Sequence, residues 1–136
     1  MKIIYTILLL VGMTCNLYAN KANEYPDNFM KNLIDEKYDF AIDNYFTSNP
    51  LILNKKQQII MLKSQIQNIM NIFGKTTEYE LAFEETLSPS IKRFVYVLKH
   101  THHPTIWEFF VYKPKDKWIA SSMSFKDSFN ILNKYQ

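Results

Sequence analysis

Glycine is almost missing from this 136-residue chain, which holds two, Gly12 and Gly74. A phosphate-cradling loop, a dinucleotide fingerprint and a nucleophile elbow each need several glycines, because only that residue lets the backbone turn so sharply or approach a ligand so closely. Those classes are excluded. Cysteine is scarcer still. The one cysteine, Cys15, falls in an apolar leader, so the rest of the chain has no thiol or disulfide and must be held by packing. There is no block of Lys and Arg: the 16 basic and 13 acidic residues interleave, which removes support for a nucleic-acid-binding face.

What is present begins with a leader. Lys2 gives a positive start, Ile3, Ile4 and Ile7 to Val11 form an apolar run, and Leu17-Tyr18-Ala19 puts a small residue before polar Asn20 to Glu24. This is the layout of a signal peptide spanning residues 1–19. The run is too short to cross a bilayer of roughly 30 Å. Gly12 and Met13 fit a lipobox poorly, so lipidation at Cys15 is not expected. The chain is read as exported, periplasmic or secreted, and soluble, with no transmembrane segment after cleavage. Lys2 is the leader's only charged residue, which leaves 15 basic against 13 acidic residues and a net charge of +2.

Residues 20–27 read as a polar, flexible lead-in, and 28–136 as a single domain. A first helix is expected over Asn28–Phe46, where Met30, Ile34, Tyr38, Ala41 and Tyr45 recur at helical spacing, and Thr47 to Pro50 ends it. A second follows Asn54, whose side chain and Gln57 suggest a capping box; Ile59, Leu62, Ile66, Ile69, Met70 and Phe73 line one face, and Gly74 closes it. From Lys75 the period changes to 2. Four strands follow, about Thr76–Leu87, Ile91–His100, Thr105–Lys113 and Lys117–Phe125, with connections short enough to demand an antiparallel meander. A short helix using Phe129 and Leu132 is expected after Asp127.

Turn lengths set an expected register. Leu81 faces Tyr96, Phe83 faces Phe94, Leu98 faces Trp107, Val111 faces Ile119, and Trp107 faces Met123. All four strands then show large apolar groups to one face. The opposite face holds Arg93, Val95, Val97, Lys99, Ile106, Glu108, Phe110, Tyr112, Trp118 and Ala120. Its apolar part, Val97, Phe110 and Tyr112, is the expected homodimer face, unless the segment from Phe129 to Tyr135 folds over it.

The fold class expected is therefore α+β, two N-terminal helices packed on a curved four-stranded antiparallel meander. The helix Asn28–Phe46, the helix Ile59–Phe73 closed by Gly74, the strand Trp107-Glu108-Phe109-Phe110, and Lys117-Trp118-Ile119 leading to Phe125-Lys126-Asp127 carry a resemblance. Over about Asn28 to Phe129 the chain resembles the NTF2-like (cystatin-like) superfamily, especially its small exported bacterial members. The resemblance implies a sheet wrapped into a cone, a pocket between sheet and helices, and frequent dimerisation through the sheet. That superfamily includes enzymes, binding proteins and accessory domains, so fold alone does not choose a function.

Its enzymes use an Asp and His pair within the cone, and no acid or histidine falls centrally on the core face predicted here. The three histidines, His100, His102 and His103, read as a polar hairpin tip rather than a metal site. Glu108 reads as a cross-strand ion-pair partner between Lys99 and Arg93, and Glu78, Glu80, Glu84 and Glu85 as a solvated acidic edge. No catalytic residue, metal or cofactor is assigned. Tyr38, Tyr45, Tyr79, Tyr96 and Trp107 are the candidates to line a pocket for a small apolar ligand. The expected function is non-enzymatic binding of such a ligand or of a protein partner. The alternatives are a hydrolase- or isomerase-like enzyme using the cone, and an inhibitor or accessory subunit of an envelope assembly.

Intact-mass measurement of exported protein is expected to show a chain beginning at Asn20. A species starting at Cys15 with added acyl mass would show a lipoprotein instead.

Overall fold

The change of period at Lys75 divides the molecule as expected. The computed structural model describes residues 20–135, and the expected leader, 1–19, lies outside the described residues. Four helices, α1 Glu24–Ile34, α2 Tyr38–Phe46, α3 Pro50–Leu53 and α4 Lys56–Phe73, precede four strands, β1 Thr76–Ser88, β2 Ile91–His100, β3 Thr105–Tyr112 and β4 Ile119–Lys126. A final 3-10 turn covers Asn130–Tyr135. The strands form one antiparallel sheet in the order β1-β2-β3-β4. The fold class is α+β. Among the described residues no helix is long and apolar enough to cross a membrane.

The helical half departs from expectation in three places. The single helix expected over Asn28–Phe46 is two. Glu36 takes a left-handed φ of 60°. The Glu36 N–H donates to the Leu33 carbonyl and the Lys37 N–H to the Asn32 carbonyl, a Schellman ending of α1. Glycine usually marks that position; here an exposed glutamate occupies it. The segment 20–27 is not a loose lead-in either. Ala22 and Pro26 are buried, and α1 begins at Glu24 because Phe29, Met30 and Leu33 on its inner face need covering. α4 is capped at Lys55 without a side-chain hydrogen bond, so the Asn54 and Gln57 box does not form. It ends at Gly74, whose φ is 89°. A Cβ there would stand 3.1 Å from Thr101 and from the His102 ring, which only glycine avoids.

The core is aromatic. The Phe29 ring on α1 lies 5.2 Å from Phe109, 5.7 Å from Trp107 and 5.8 Å from Tyr45. Tyr96 meets Phe109 at 5.7 Å, and Trp107 meets Phe125 at 4.8 Å. Tilted and edge-to-face pairs like these add about 0.5–1.5 kcal/mol each beyond their area. They bring β2, β3 and β4 under α1 and α2.

The strand faces hold where the register is regular and change at two irregularities. Leu81 pairs with Tyr96 as expected, but a bulge before Phe83 sets that residue against Val95 on the outer face, with the Arg93 guanidinium 5.2 Å from its ring. Between β2 and β3 the pairing is Tyr96 to Trp107 and Leu98 to Thr105, two residues from expectation and therefore on the same face. The β2–β3 loop is drawn off-centre because the Thr101 and His102 N–H groups donate to Lys75 and Phe73 carbonyls. Trp107 pairs with Phe125 and Phe109 with Met123. A second irregularity at Phe110/Val111 pairs Val111 with Ala120. It turns Trp118 and Ala120, expected outside, into the core cluster.

That irregularity is pinned from the helices. The Tyr45 hydroxyl lies 3.1 Å from both the Phe110 and the Ser122 carbonyl. β4 is an edge strand, and its free backbone groups are taken by the N-terminal half. Tyr25 and Asn20 donate to the Trp118 carbonyl at 2.6 and 2.9 Å, Asn49 donates to the Ala120 carbonyl at 2.8 Å, and the Ala120 N–H donates to the Ser48 hydroxyl at 2.9 Å. These contacts cover the edge from Trp118 to Ser122, which blunts it against strand addition there.

Trp107 has no exposed surface, while Lys115 is exposed. Trp107→Ala is expected to cost about 3–5 kcal/mol, and Lys115→Ala to change stability by no more than about 0.5 kcal/mol. Urea midpoints measured for both variants check the face assignment.

Candidate functional site

The five pocket candidates separate into two groups. Tyr45, Tyr96 and Trp107 are at most 1% exposed and pack on Phe29, Phe109 and Phe125. They are core, and their polar ends are spent inside it. The Tyr45 hydroxyl engages the β3 and β4 carbonyls already described, and burial pushes its pKa upward. The Tyr96 hydroxyl donates to Asp27; burial first, then the Asp27 carboxylate, raise its pKa. Tyr79 and Tyr38 are partly buried at the margin of the core. Tyr79 stands 6.0 Å from Tyr96, and burial followed by Asp27 pushes it upward. The interior of the sheet-and-helix layer is therefore filled by rings.

Asp27 was hidden from sequence reasoning because it sits in the segment taken for a lead-in. It is an acid brought against the core face. Its bond to Tyr96 ties α1 to β2, and the Asn23 amide donates to it at 3.0 Å within the start of α1.

The histidines divide. His100 is buried, and a directed chain runs through it. The Trp107 indole N–H donates to the Thr105 hydroxyl at 2.7 Å, that hydroxyl lies 2.8 Å from His100 Nε2, and His100 Nδ1–H donates to the Gly74 carbonyl at 3.1 Å. The Gly74 carbonyl accepts only, so Nδ1 carries a proton, and burial, which lowers the His100 pKa, favours the neutral form with Nε2 accepting from Thr105. It clamps the end of α4 to the β2–β3 hairpin. His103 stacks on Phe129 at 5.6 Å, and His102 is exposed. Among the described residues there is no group of three or more His, Cys, Asp or Glu placed to hold a metal.

The acidic edge is neutralised across strands. Glu78 and Glu80 meet Lys99, Glu84 meets Lys92 at 3.5 Å, and Glu85 meets Arg93 at 3.4 Å. Glu108 pairs with Arg93 on the outer face, whereas Lys99 turns to β1. The C-terminal turn reaches this face, since Asn130 and Ile131 share a cleft with Arg93, Glu108 and Lys126. Of the dimer-face candidates, Val97 and Phe110 are half-buried and Tyr112 is 41% exposed. Phe110 and Tyr112 border a depression of about 340 Å³ with Ile91.

An apolar recess lies among α2, α3, α4 and β4. It has a volume of about 260 Å³ and is lined by Phe46, Ile52, Ile59, Leu62 and Met123, with Lys55 and Gln58 at one side and Ser121 and Ser122 at the other. α3 and α4 also expose apolar side chains: Leu51 is 71% exposed, Ile60 66%, Met61 60% and Ile72 58%. Sequence reasoning placed the α4 stripe in the core, which holds for Ile59, Ile66 and Met70. The docking of α3 next to β4, which makes the recess, left no sequence signal beyond Pro50. Comparisons with protein-family models, curated proteins and solved structures find no match for this chain.

Burial lowers the pKa of His100, outweighing its bond to Gly74. In the unfolded chain the same group titrates near its ordinary value of about 6.5. The unfolded state thus binds more protons below that value, and stability present above about pH 6.5 is lost as pH falls through the depressed folded value. Urea midpoints are expected to fall between about pH 7 and pH 5, and to fall less in His100→Gln. An identical pH response in the two proteins would contradict the neutral clamp.

Proposed function

We propose that this chain is an exported, non-enzymatic binding domain of NTF2-like kind that takes an apolar ligand at its surface rather than inside a cone. The observation that supports this reading is the contrast between the two candidate places. The expected interior pocket is occupied by Phe29, Tyr45, Tyr96, Trp107 and Phe109, with Tyr45, Tyr96 and Trp107 at most 1% exposed. The recess between α3, α4 and β4 is open and apolar, and the helices that form it also expose Leu51, Ile60 and Met61.

The enzymatic alternative has less support. Asp27 and His100 both lie against the core, but each is bound to groups that hold the fold. Asp27 serves the Tyr96 hydroxyl, and His100 serves Thr105 and Gly74. Neither lines the recess. A homodimer through the outer face is a second reading, favoured by the depression at Ile91, Phe110 and Tyr112. Its area is reduced where the C-terminal turn reaches Arg93 and Glu108.

Native mass spectrometry of protein purified from its own host tests the proposal. The expected result is a monomer carrying an apolar small-molecule adduct, released on denaturation. A monomer of bare mass in every preparation would contradict it, and a dimer without adduct would favour the outer-face reading.

A further inference from the structure

We propose that the recess between α3, α4 and β4 binds a free straight-chain carboxylate, with its hydrocarbon tail on Ile59, Leu62 and Met123 and its carboxylate at Lys55. This rests on the reading that the recess is the binding site, and it names the ligand class.

Charge carries the assignment. Lys55 is the one charged residue among those lining the recess. The sequence has no Asp or Glu between Asp43 and Glu78, a stretch that contains Lys55, Lys56, Lys63 and Lys75. The nearest preceding acid is already engaged, since Asp43 pairs with Lys63 at 2.8 Å. Among the described residues Lys55 has no such carboxylate partner. The first turn of α4 also contains no acid, so the partial positive charge of that helix end adds to the lysine. A cation would meet only repulsion here, and a wholly apolar ligand would leave the lysine unused.

Shape and polarity agree. The walls are apolar side chains from α2, α3, α4 and β4, which suits a hydrocarbon tail. Gln58, one helical turn from Lys55, supplies a further hydrogen-bond donor for a carboxylate. The volume of about 260 Å³ lies just below the range of drug-sized ligand sites, roughly 300 to 1,000 Å³. That favours one short unbranched chain over a polycyclic or multi-chain lipid.

Isothermal titration calorimetry with decanoate and 1-decanol, below their aggregation limits, tests this on the mature protein, Lys55→Gln and Leu62→Trp. Decanoate is expected to bind more tightly than decanol. Lys55→Gln should weaken decanoate about tenfold, the scale of one charge-assisted contact, and leave decanol unchanged. Leu62→Trp, which fills the recess, should abolish both while circular dichroism stays folded. Equal affinities for the two probes would overturn the carboxylate assignment and leave the apolar recess standing. Binding of neither would overturn both readings. Unchanged binding in folded Leu62→Trp would place the site elsewhere. Should Leu62→Trp not fold, Met123→Trp gives the same test from β4. Co-sedimentation with anionic phospholipid vesicles, without decanoate binding, would overturn the free-carboxylate proposal in favour of a membrane surface.

Discussion

The rest of the structure depends on one contact: the Phe29 ring of α1 seated among Tyr45, Trp107 and Phe109. A chain with no disulfide in its described part must order itself by packing, and ring-on-ring contact supplies both buried area and preferred geometry. Phe29 brings α1 over the middle of the sheet, and Tyr45 comes with α2. The Tyr45 hydroxyl then reaches the two carbonyls at the β3–β4 irregularity. With the helices so placed, Tyr25, Ser48 and Asn49 lie within hydrogen-bond reach of the β4 edge. Core, edge protection and sheet irregularity are therefore one connected arrangement.

The functional consequence is displacement. Rings that fill the space between helices and sheet leave no opening around Tyr45, Tyr96 and Trp107. The open apolar recess lies instead among α2, α3, α4 and β4. α4 leans on α2, with Lys63 tied to Asp43, and it leaves Ile60, Met61 and Ile72 in solvent. An 18-residue helix with three buried side chains is mostly surface. Its apolar stripe is wider than its packing requires.

Much of this was legible in the sequence. The alternation Phe94, Tyr96, Leu98 against Trp107, Phe109, Val111 located the inner face, because a slip of two residues preserves it. The turn residues gave the strand order, and Gly74 marked the end of α4. Three features left no signal. Glu36 stands where glycine would announce a helix ending, so two helices read as one. The irregularities at Leu81/Phe83 and Phe110/Val111 involve no glycine, so Phe83 and Trp118 were assigned to the wrong faces. Asp27 and Ala22 lie in a polar stretch whose order comes from tertiary contact, which local periodicity does not record. The site candidates follow the same division. The aromatic residues were correctly seen as inward-facing, but a one-dimensional pattern does not distinguish rings that surround a space from rings that fill it.

The interior is full of rings, and the recess beside β4 is open. Methyl-detected NMR on Ile, Leu and Met groups during addition of 1-decanol tests it most directly, since a neutral probe reports apolar space independently of charge. Concentration-dependent shifts confined to Ile52, Ile59, Leu62 and Met123, with Met30, Leu33 and Leu98 unmoved, are what the account predicts. Shifts centred on Met30, Leu33 and Leu98 would show a ligand among the core rings and contradict it.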